Sequence, residues 1–591
     1  NSLNQGQVDQ ARTHVQAVLG SYPNHPTALY LSGGICKLSG QLAEAEAFYR
    51  RSLKAAPKQP QVANALGAVL VAQARLAEAC EAFARATKLE PKYLEAWINL
   101  GRQRLDMKAL VEAEKAFRAA LNVNPNEARG HVGLGRVYAA RGEYDQARTA
   151  FEKAIALAPT YFHAHHYLGH ALFELGQLEA AAERFDQALQ LQSNVPATLQ
   201  EAARVDFQLD RKDRAIARLR QAISLQPLNA SLHRDLNQIL FMLGHGDLLT
   251  SYKQVLDQTP FDPGLLCAFA QFAVSAHQPG EALAYLQRAA AVDNCPPEVF
   301  GALAHVVAET DSPQAALAWH EKARSLAPQN KFILQNYCSA LFNTGEIERA
   351  AAIASDAFAL DPTDQMNLAY QTTALRLQDE PQANGLYQPD IFTEKKAITP
   401  PPGYASLDAF NDAVRRELIA LHNSAQEPFD QSLKGGTQVE LTRIARQNKV
   451  IGELVDSLKR SVATFAAGLP DVPGHPFLSR KPEVIEFSGI WSVRLRTGGH
   501  HISHAHPEGW LSSCYYVDLP EDVESSGDHQ GWLRIGEPPV GQIMDKLDSF
   551  DIQPSEGALI LFPSYFWHGT LPFSKGAQRL TVAFDVKPRA V

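Results

Sequence analysis

A repeat of 34 residues in the N-terminal half of the chain constrains the fold more than any other feature of the sequence. Four kinds of residue recur at this spacing: a glycine, an alanine, an aromatic residue and a proline. The first two sets are Gly33, Gly67, Gly101, Gly135 and Gly169, and Ala45, Ala79, Ala113, Ala147 and Ala181. The other two are Tyr49, Phe83, Phe117, Phe151 and Phe185, and Pro57, Pro91, Pro125 and Pro159. Such a pattern predicts stacked units, each of which contacts mainly its neighbours.

The residue types at these positions indicate pairs of antiparallel helices. Glycine on the first helix and alanine on the second let the two helices approach closely. The aromatic ring fills the space between neighbouring hairpins, and proline marks the passage to the next repeat because it cannot continue a helix interior. The period and the residue pattern are those of the tetratricopeptide repeat.

The spacing of 34 residues continues on both sides of the regular section, but fewer of the repeated residues are present there. Residues 1–26 are interpreted as the second helix of a repeat whose first helix is truncated. Between about residues 196 and 320 the glycines of the pattern are absent, and we expect less regular hairpins there. The sequence therefore predicts an all-α tetratricopeptide-repeat superhelix over residues 1–378, with about ten or eleven helical hairpins.

The C-terminal third of the chain has a different pattern. Residues 379–402 are rich in proline and glycine and indicate a linker or a strand that crosses between domains. Apolar residues at helical spacing in 405–425 and 440–467 predict two helices that support a barrel from outside. From Glu483 onward the pattern is typical of β-strands. Residues 403–591 are therefore predicted to form a second, β-rich domain.

Composition excludes several classes of protein. The chain of 591 residues is too long for one hydrophobic core, and its net charge of −9 is mild for that length. We find no cluster of basic residues of the kind that binds nucleic acid, and no apolar run near the roughly 20 residues that cross a bilayer. The six cysteines are scattered without a CxxC pair, so we expect free thiols in a reducing compartment and a cytoplasmic protein.

Three histidines and an arginine near the C-terminus form the most informative motif for function. His504 and His506 are two residues apart, and side chains at that spacing on a strand point to the same face. His568 follows 62 residues after His506, and Arg579 lies eleven residues further on. A third imidazole from a neighbouring strand completes a facial arrangement that suits non-heme Fe(II), while an arginine suits a carboxylate.

The surrounding residues carry a resemblance to a known family. They are Trp491 to Arg496, His504 to Pro507, Gly509 to Ser512, Tyr515 to Val517, Phe562 to Ser564, and Arg579 to Thr581. With them the chain resembles bacterial 2-oxoglutarate/Fe(II) oxygenases that carry tetratricopeptide repeats ahead of a double-stranded β-helix domain. The resemblance implies a double-stranded β-helix, or jelly-roll, fold with flanking helices for residues 403–591.

The proposed metal ligands depart from the usual pattern of such enzymes. Most relatives have His-x-Asp or His-x-Glu, whereas this chain has His504-x-His506, with His568 as the third ligand. The segment also contains a His-x-Glu, formed by His506 and Glu508, so Glu508 is an alternative ligand. The proline between these two residues would interrupt strand alternation, which favours the three-histidine set. His500, His501 and His529 lack a partner at matching spacing and are left out.

The resemblance also implies a binding site for 2-oxoglutarate. Arg579 and Thr581 share one face of a predicted strand, and the family uses such a pair for the distal carboxylate. Tyr516, on the strand after the histidine pair, is a further candidate for that carboxylate. Arg496 on the preceding strand is a candidate second anchor, although Arg494 has the same parity and the sequence does not separate the two.

The chain is therefore predicted to be an Fe(II)- and 2-oxoglutarate-dependent dioxygenase. The repeats suggest a protein or peptide partner in their groove, and hence hydroxylation of a side chain that they present. One alternative is an interaction scaffold with a degenerate or regulatory barrel. Another is a three-histidine metal dioxygenase that does not use 2-oxoglutarate. Repeat surfaces often self-associate, so a homo-oligomer is a further expectation, but the sequence does not name the substrate.

Overall fold

A computed structural model shows how the chain folds. It describes residues 5–422, 429, 432–520, 523, 527–541, 543, 546–576 and 578–589. The chain divides into two compact units, Asn1–Arg218 and Leu219–Val591.

The first unit is built from helices that pack in sequence order. They are α1 (Gln5–Ser21), α2 (Pro26–Leu38), α3 (Leu42–Ala55), α4 (Pro60–Ala72), α5 (Leu76–Leu89), α6 (Leu94–Asp106), α7 (Leu110–Val123), α8 (Ala128–Ala140), α9 (Tyr144–Leu157), α10 (Phe162–Glu174), α11 (Leu178–Leu191), α12 (Pro196–Gln208) and α13 (Lys212–Leu225), the last of which crosses the boundary between the units.

Close contact between a glycine and an aromatic ring explains the repeat of 34 residues. A Cβ atom placed on Gly67 of α4 would lie 2.6 Å from a ring carbon of Phe83 on α5. Phe83 is itself buried, and Ala79, one turn earlier on α5, is fully buried as well. Any larger residue at Gly67 would therefore push the two helices of the hairpin apart. The same contact recurs between Gly135 and Phe151.

The second unit begins with further helical hairpins. Its helices up to residue 377 are α14 (Ala230–Met242), α15 (Thr250–Leu256), α16 (Pro263–Ser275), α17 (Gly280–Ala290), α18 (Pro297–Thr310), α19 (Pro313–Leu326), α20 (Lys331–Asn343), α21 (Ile347–Leu360) and α22 (Gln365–Leu377). Helix α15 has only seven residues. The section with the weakened repeat pattern therefore remains helical but is less regular, as predicted.

The rest of the second unit combines strands with short and long helices. Its elements are α23 (Ala383–Leu386), α24 (Pro389–Phe392), β1 (Glu394–Ala397), α25 (Leu407–Leu421), β2 (Leu433–Glu440), α26 (Thr442–Gln447), α27 (Lys449–Gly468), a 3₁₀ turn (Leu478–Arg480), β3 (Phe487–His501), β4 (Leu511–Asp518), β5 (Leu533–Ile535), β6 (Phe550–Ile552), β7 (Ala558–Pro563), β8 (His568–Thr570) and β9 (Gln578–Val586).

Two antiparallel sheets form within the described residues. The larger has the strand order β1-β7-β4-β9-β3-β2, and the smaller has the order β6-β5-β8. Strand β1, which lies in the segment predicted as a linker or a crossing strand, pairs antiparallel with β7 at the edge of the larger sheet. The fold prediction, repeat helices followed by an antiparallel β-domain with flanking helices, is confirmed. The domain limits at residues 378 and 403 stay a prediction.

The flanking helices contribute to the core of the β-domain. Phe410, Val414 and Leu418 of α25 are fully buried in one apolar cluster with residues of α27 and of the larger sheet. Asn411 adds a polar link, because its side-chain amide donates to the carbonyl of Val517 on β4 at 2.7 Å. The predicted helix range 405–425 reaches residues 423–425, which lie outside the described part of the chain.

The last repeat helix also contacts the β-domain. The guanidinium of Arg376 on α22 donates to the carbonyls of Gly536 and Asp548 at 2.6 and 2.7 Å. The ring of Tyr370 packs edge-on against Trp567, the residue before β8. Across the described chain, no helix is both long and apolar enough to pass through a membrane.

Candidate metal centre

Backbone pairing brings two of the predicted ligands side by side. The amide of His504 donates to the carbonyl of His568, and the amide of His568 donates to the carbonyl of His504, both at 2.9 Å. His568 begins β8 of the smaller sheet. The amide of His506 donates to the carbonyl of Ser564 at 2.9 Å. This bond fixes His506 beside the loop between β7 and β8.

The three imidazoles converge. One ring nitrogen from each of His504, His506 and His568 lies within 4.8 Å of the other two, and a group of this kind could hold a metal ion. The ring centroids are 4.4 to 5.0 Å apart. His568 is buried, whereas the other two are partly exposed. The structure therefore brings together the set that the sequence favours.

Hydrogen bonds at Nδ1 orient two of the rings. Nδ1 of His504 lies 2.8 Å from the carbonyl of Ile502, and Nδ1 of His568 lies 2.9 Å from the carbonyl of Phe566. A carbonyl oxygen can only accept, so Nδ1 carries the proton in both rings. The Nε2 atoms of His504 and His568 are therefore left with a lone pair, as a metal ligand requires.

A carboxylate orients the ring of His506. Its Nδ1 lies 2.5 Å from Oδ2 of Asp585 at the end of β9, and Oδ1 of Asp585 accepts from the Ser512 hydroxyl at 2.7 Å. Nε2 of His506 is buried and has no hydrogen-bond partner among the described residues. Burying a polar atom without a partner costs free energy, unless a bound ligand or ion supplies that partner.

Burial keeps the imidazoles of His504 and His568 neutral. Loss of hydration lowers the pKa of His504 to about 4, and the nearby His506 acts in the same direction. Burial also holds the pKa of His568 well below its ordinary value. Neutral rings at pH 7 are ready to bind a metal without first losing a proton.

A cavity of about 370 Å³ adjoins the histidines. Its wall includes all three of them and one face of β9, where Arg579, Thr581, Ala583 and Asp585 follow each other at every second position. The rest of the wall is largely apolar and includes Trp491 and Val493 on β3, Phe562 on β7 and Leu533 on β5.

Arg579 presents unpaired donors in this cavity. The side chain is only 1% exposed, and its Nη2 donates to the hydroxyl of Tyr516 at 3.3 Å. Its Nε and Nη1 are buried without a hydrogen-bond partner in the described part of the chain. A guanidinium in this state is strongly destabilising by itself, so the arrangement fits a site that an anion completes.

Of the other residues predicted to bind 2-oxoglutarate, two lie at the cavity and one does not. Thr581 is buried and lines the cavity, and Tyr516 is fully buried with its hydroxyl on Arg579. The structure does not bring Arg496 to the cavity, because its side chain is exposed. The reason is the register of β3 and β9: Leu495 is opposite Arg579, so Leu495 shares the cavity face and Arg496 points to the other face.

The alternative ligand Glu508 lies apart from the cluster. Its side chain is exposed, and it is not part of the group of converging ligand atoms. The pKa of Lys331 on α20 is raised mainly by its hydrogen bond to Asp364, and the charge of Glu508 adds to that shift. Glu508 therefore lies near enough to Lys331 for its charge to act on that lysine.

Sequence reasoning missed two residues of the site. Asp585 could have been found, because it continues the alternation that begins at Arg579 and Thr581. His501 also lines the cavity, with Nδ1 at 3.2 Å from the hydroxyl of Ser432. Burial lowers the pKa of His501 well below its ordinary value, and the charges of His504 and Arg579 act in the same direction. No spacing in the sequence indicated it.

Comparison with protein families agrees with this geometry. Models of the tetratricopeptide repeat match residues 2–60, 64–129, 135–176 and 162–195. A model described as "Putative 2OG-Fe(II) oxygenase" matches residues 489–585, which include the three histidines, Arg579 and Asp585. The matches thus have the order that the sequence predicts, tetratricopeptide repeats followed by a domain similar to the "Putative 2OG-Fe(II) oxygenase" model. The segment that matches the oxygenase model begins within β3 and ends within β9.

Solved structures with similarity to part of the chain include repeat proteins. A crystal structure of MamA protein has 26% sequence identity and a TM-score of 0.27, with 29% of this chain and 92% of that chain covered. A thermophilic tetratricopeptide-repeat protein of Thermus thermophilus has 25% identity and a TM-score of 0.28, with 31% and 100% covered. A search of curated proteins finds no match.

Proposed function

We propose that the β-domain is an Fe(II)- and 2-oxoglutarate-dependent dioxygenase that hydroxylates a protein or peptide side chain presented by the repeats. The observation that carries the proposal is the combination of unpaired groups in one cavity. Nε2 of His506 lacks a hydrogen-bond partner, and Nε and Nη1 of Arg579 lack one as well, among the described residues. A metal ion would complete the first and a carboxylate would complete the second.

The histidine cluster fits Fe(II). His504, His506 and His568 would hold the ion through Nε2, while their Nδ1 atoms are engaged by Ile502, Asp585 and Phe566. Three imidazole ligands carry no negative charge, so the ligands themselves do not offset the charge of the ion. The carboxylate of Asp585 behind His506 and the two negative charges of 2-oxoglutarate would offset it.

The opposite part of the cavity fits the distal carboxylate of 2-oxoglutarate. Arg579 has free donors at Nε and Nη1 and a second hydrogen on Nη2, so two neighbouring N–H groups of its planar guanidinium can contact one carboxylate. The hydroxyls of Tyr516 and Thr581 border the same region, since both residues are paired across β4 and β9. We therefore assign cosubstrate binding to Arg579, Thr581 and Tyr516, and metal binding to the three histidines.

Bound Fe(II) supplies the chemistry that couples decarboxylation of 2-oxoglutarate to hydroxylation of a C–H bond. The protein's own contribution is orientation and exclusion of water. The apolar wall formed by Trp491, Val493 and Phe562 keeps the reacting end of the cavity dry. The repeats bring a partner to the domain, a role that their capacity for protein–protein interaction supports.

A titration tests the chemistry before any search for the acceptor. The full chain is loaded anaerobically with Fe(II), titrated with 2-oxoglutarate and then exposed to air, and succinate is measured. We expect 2-oxoglutarate to bind only in the presence of metal, and succinate to form after air exposure. Absence of metal binding would instead support an interaction scaffold.

The composition of the candidate ligand group, three histidines, also favours a second candidate function. No carboxylate belongs to the converging ligand group in the described chain, and a metal dioxygenase can use three histidines without 2-oxoglutarate. Arg579 would then bind a carboxylate of the substrate. Metal binding without any 2-oxoglutarate binding or succinate formation would favour this candidate.

A further inference from the structure

His501 lines the same cavity as the histidine cluster and Arg579. Its ring centroid lies 6.0 Å from that of His504, and the charges of both His504 and Arg579 act on it. His501 lies at the C-terminal end of β3, where its backbone amide donates to the Thr570 hydroxyl at 2.9 Å and so fixes the backbone beneath the ring. A molecule bound in this cavity would therefore lie against a wall that includes this ring.

The hydroxyl of Ser432 links His501 to the cluster. It lies 3.2 Å from Nδ1 of His501 and 3.4 Å from Nε2 of His504. A hydroxyl has one proton, so it can donate to only one of these nitrogens at a time. When Nε2 of His504 binds a metal ion, its lone pair is used, and the Ser432 proton is directed to Nδ1 of His501.

This arrangement sets the tautomer of His501. A neutral imidazole whose Nδ1 accepts a hydrogen bond carries its proton on Nε2. Nε2 of His501 has no hydrogen-bond partner among the described residues, so its N–H remains available in the cavity.

We propose that His501, oriented by Ser432, is a binding residue for the 2-oxoacid: its Nε2–H donates to an oxygen of the acid held between the histidine cluster and Arg579. The inference rests on the proposed function and adds a contact that neither the ligand set nor the arginine anchor supplies. It assigns His501 to the oxoacid and not to the metal ion.

Calorimetry on the full chain loaded with Ni(II), which does not turn over, separates these roles. Dissociation constants for Ni(II) and for 2-oxoglutarate are measured for the unaltered chain, His501→Phe, His501→Gln and Ser432→Ala. We expect His501→Phe to weaken 2-oxoglutarate binding by about tenfold or more, since it removes a hydrogen bond to a charged group, with Ni(II) binding unchanged. His501→Gln should recover part of the affinity because its amide can donate, and Ser432→Ala should have a smaller effect of the same sign.

His500→Phe is the matched control, because His500 is adjacent but is not part of the cavity wall. An unchanged 2-oxoglutarate constant for His501→Phe overturns the inference. An equal loss of Ni(II) binding overturns it too, because His501 would then act through the cluster. If the unaltered chain binds Ni(II) but no 2-oxoglutarate, the proposed function fails and this inference with it.

Discussion

The indole N–H of Trp567 donates a hydrogen bond of 2.9 Å to the hydroxyl of Thr373. Both residues are buried; Trp567 directly precedes His568 of the histidine cluster, and Thr373 lies on the last repeat helix. The hydroxyl of Thr373 in turn donates to the carbonyl of Ala369 at 2.8 Å, so its bonding is satisfied on both sides. A repeat helix thus contacts the side chain of the residue directly before one of the three histidines.

Thr373→Val is expected to destabilise the second unit. Valine keeps the volume but leaves the buried indole N–H without an acceptor, at a cost of about 1–3 kcal/mol. Denaturant unfolding measures the loss. Thr372→Val is the control: the neighbouring Thr372 is also buried, but its hydroxyl has no partner among the described residues, so its replacement should be neutral or stabilising. Equal losses in both variants would contradict the role of the Trp567 bond.

Asp585→Asn is expected to weaken metal binding by roughly 10- to 100-fold. The carboxylate fixes the ring of His506 and holds a proton on its Nδ1, and a neutral amide does both less well. Competition with a chelator measures the metal affinity. Asp551→Asn provides the control, because Asp551 contacts Nδ1 of His529 in a similar pair outside the cavity. Unchanged affinity in Asp585→Asn would remove Asp585 from the site.

Glu508→Gln should leave metal binding intact, whereas His506→Gln should reduce it severely. Glu508 is exposed and outside the converging group, while Nε2 of His506 is buried and unpaired in the described structure. Metal content after gel filtration distinguishes the two variants. Loss of metal in Glu508→Gln alone would show that Glu508, and not His506, is the ligand.

Arg579→Ala is expected to raise the dissociation constant of 2-oxoglutarate by about 100-fold or more, with little effect on metal binding, because the charged fork is removed. Fluorescence or calorimetric titration of the metal-loaded protein measures both constants. Arg496→Ala should leave both unchanged, since that arginine is exposed on the opposite face of β3. A parallel loss of metal in Arg579→Ala would contradict the separation of roles.

The sequence predicted which candidate side chains lie together where their geometry follows from local periodicity. His504 and His506 share a face because they are two apart, and Arg579 and Thr581 share a face for the same reason. The repeat helices were predictable because small residues and rings must meet at a fixed interval, as Gly67 and Phe83 do. These relationships depend on short separations along the chain.

Relationships that depend on strand register were not predictable. Arg494 and Arg496 have the same parity, and only the pairing of Leu495 with Arg579 shows that both arginines are on the face away from the cavity. The position of His501 depends equally on distant contacts with Ser432 and Thr570. A single sequence contains the alternation within each strand but not the alignment between strands.

Stability should depend on pH through His422, which follows α25 and contacts a side chain of β2 and one of β3. Its ring nitrogens contact the hydroxyls of Thr437 and Ser492 at 2.8 and 2.9 Å, and burial lowers its pKa to about 4. In the unfolded chain a histidine has a pKa of about 6.5, so between about pH 6.5 and 4 the unfolded state binds a proton that the folded state does not. The contribution of His422 is therefore complete above about pH 6.5 and falls by at most about 3 kcal/mol as the pH drops to about 4. Urea unfolding at several pH values should show the stability difference between the unaltered chain and His422→Gln shrinking over this window; parallel curves would show that the buried ring does not titrate in this way.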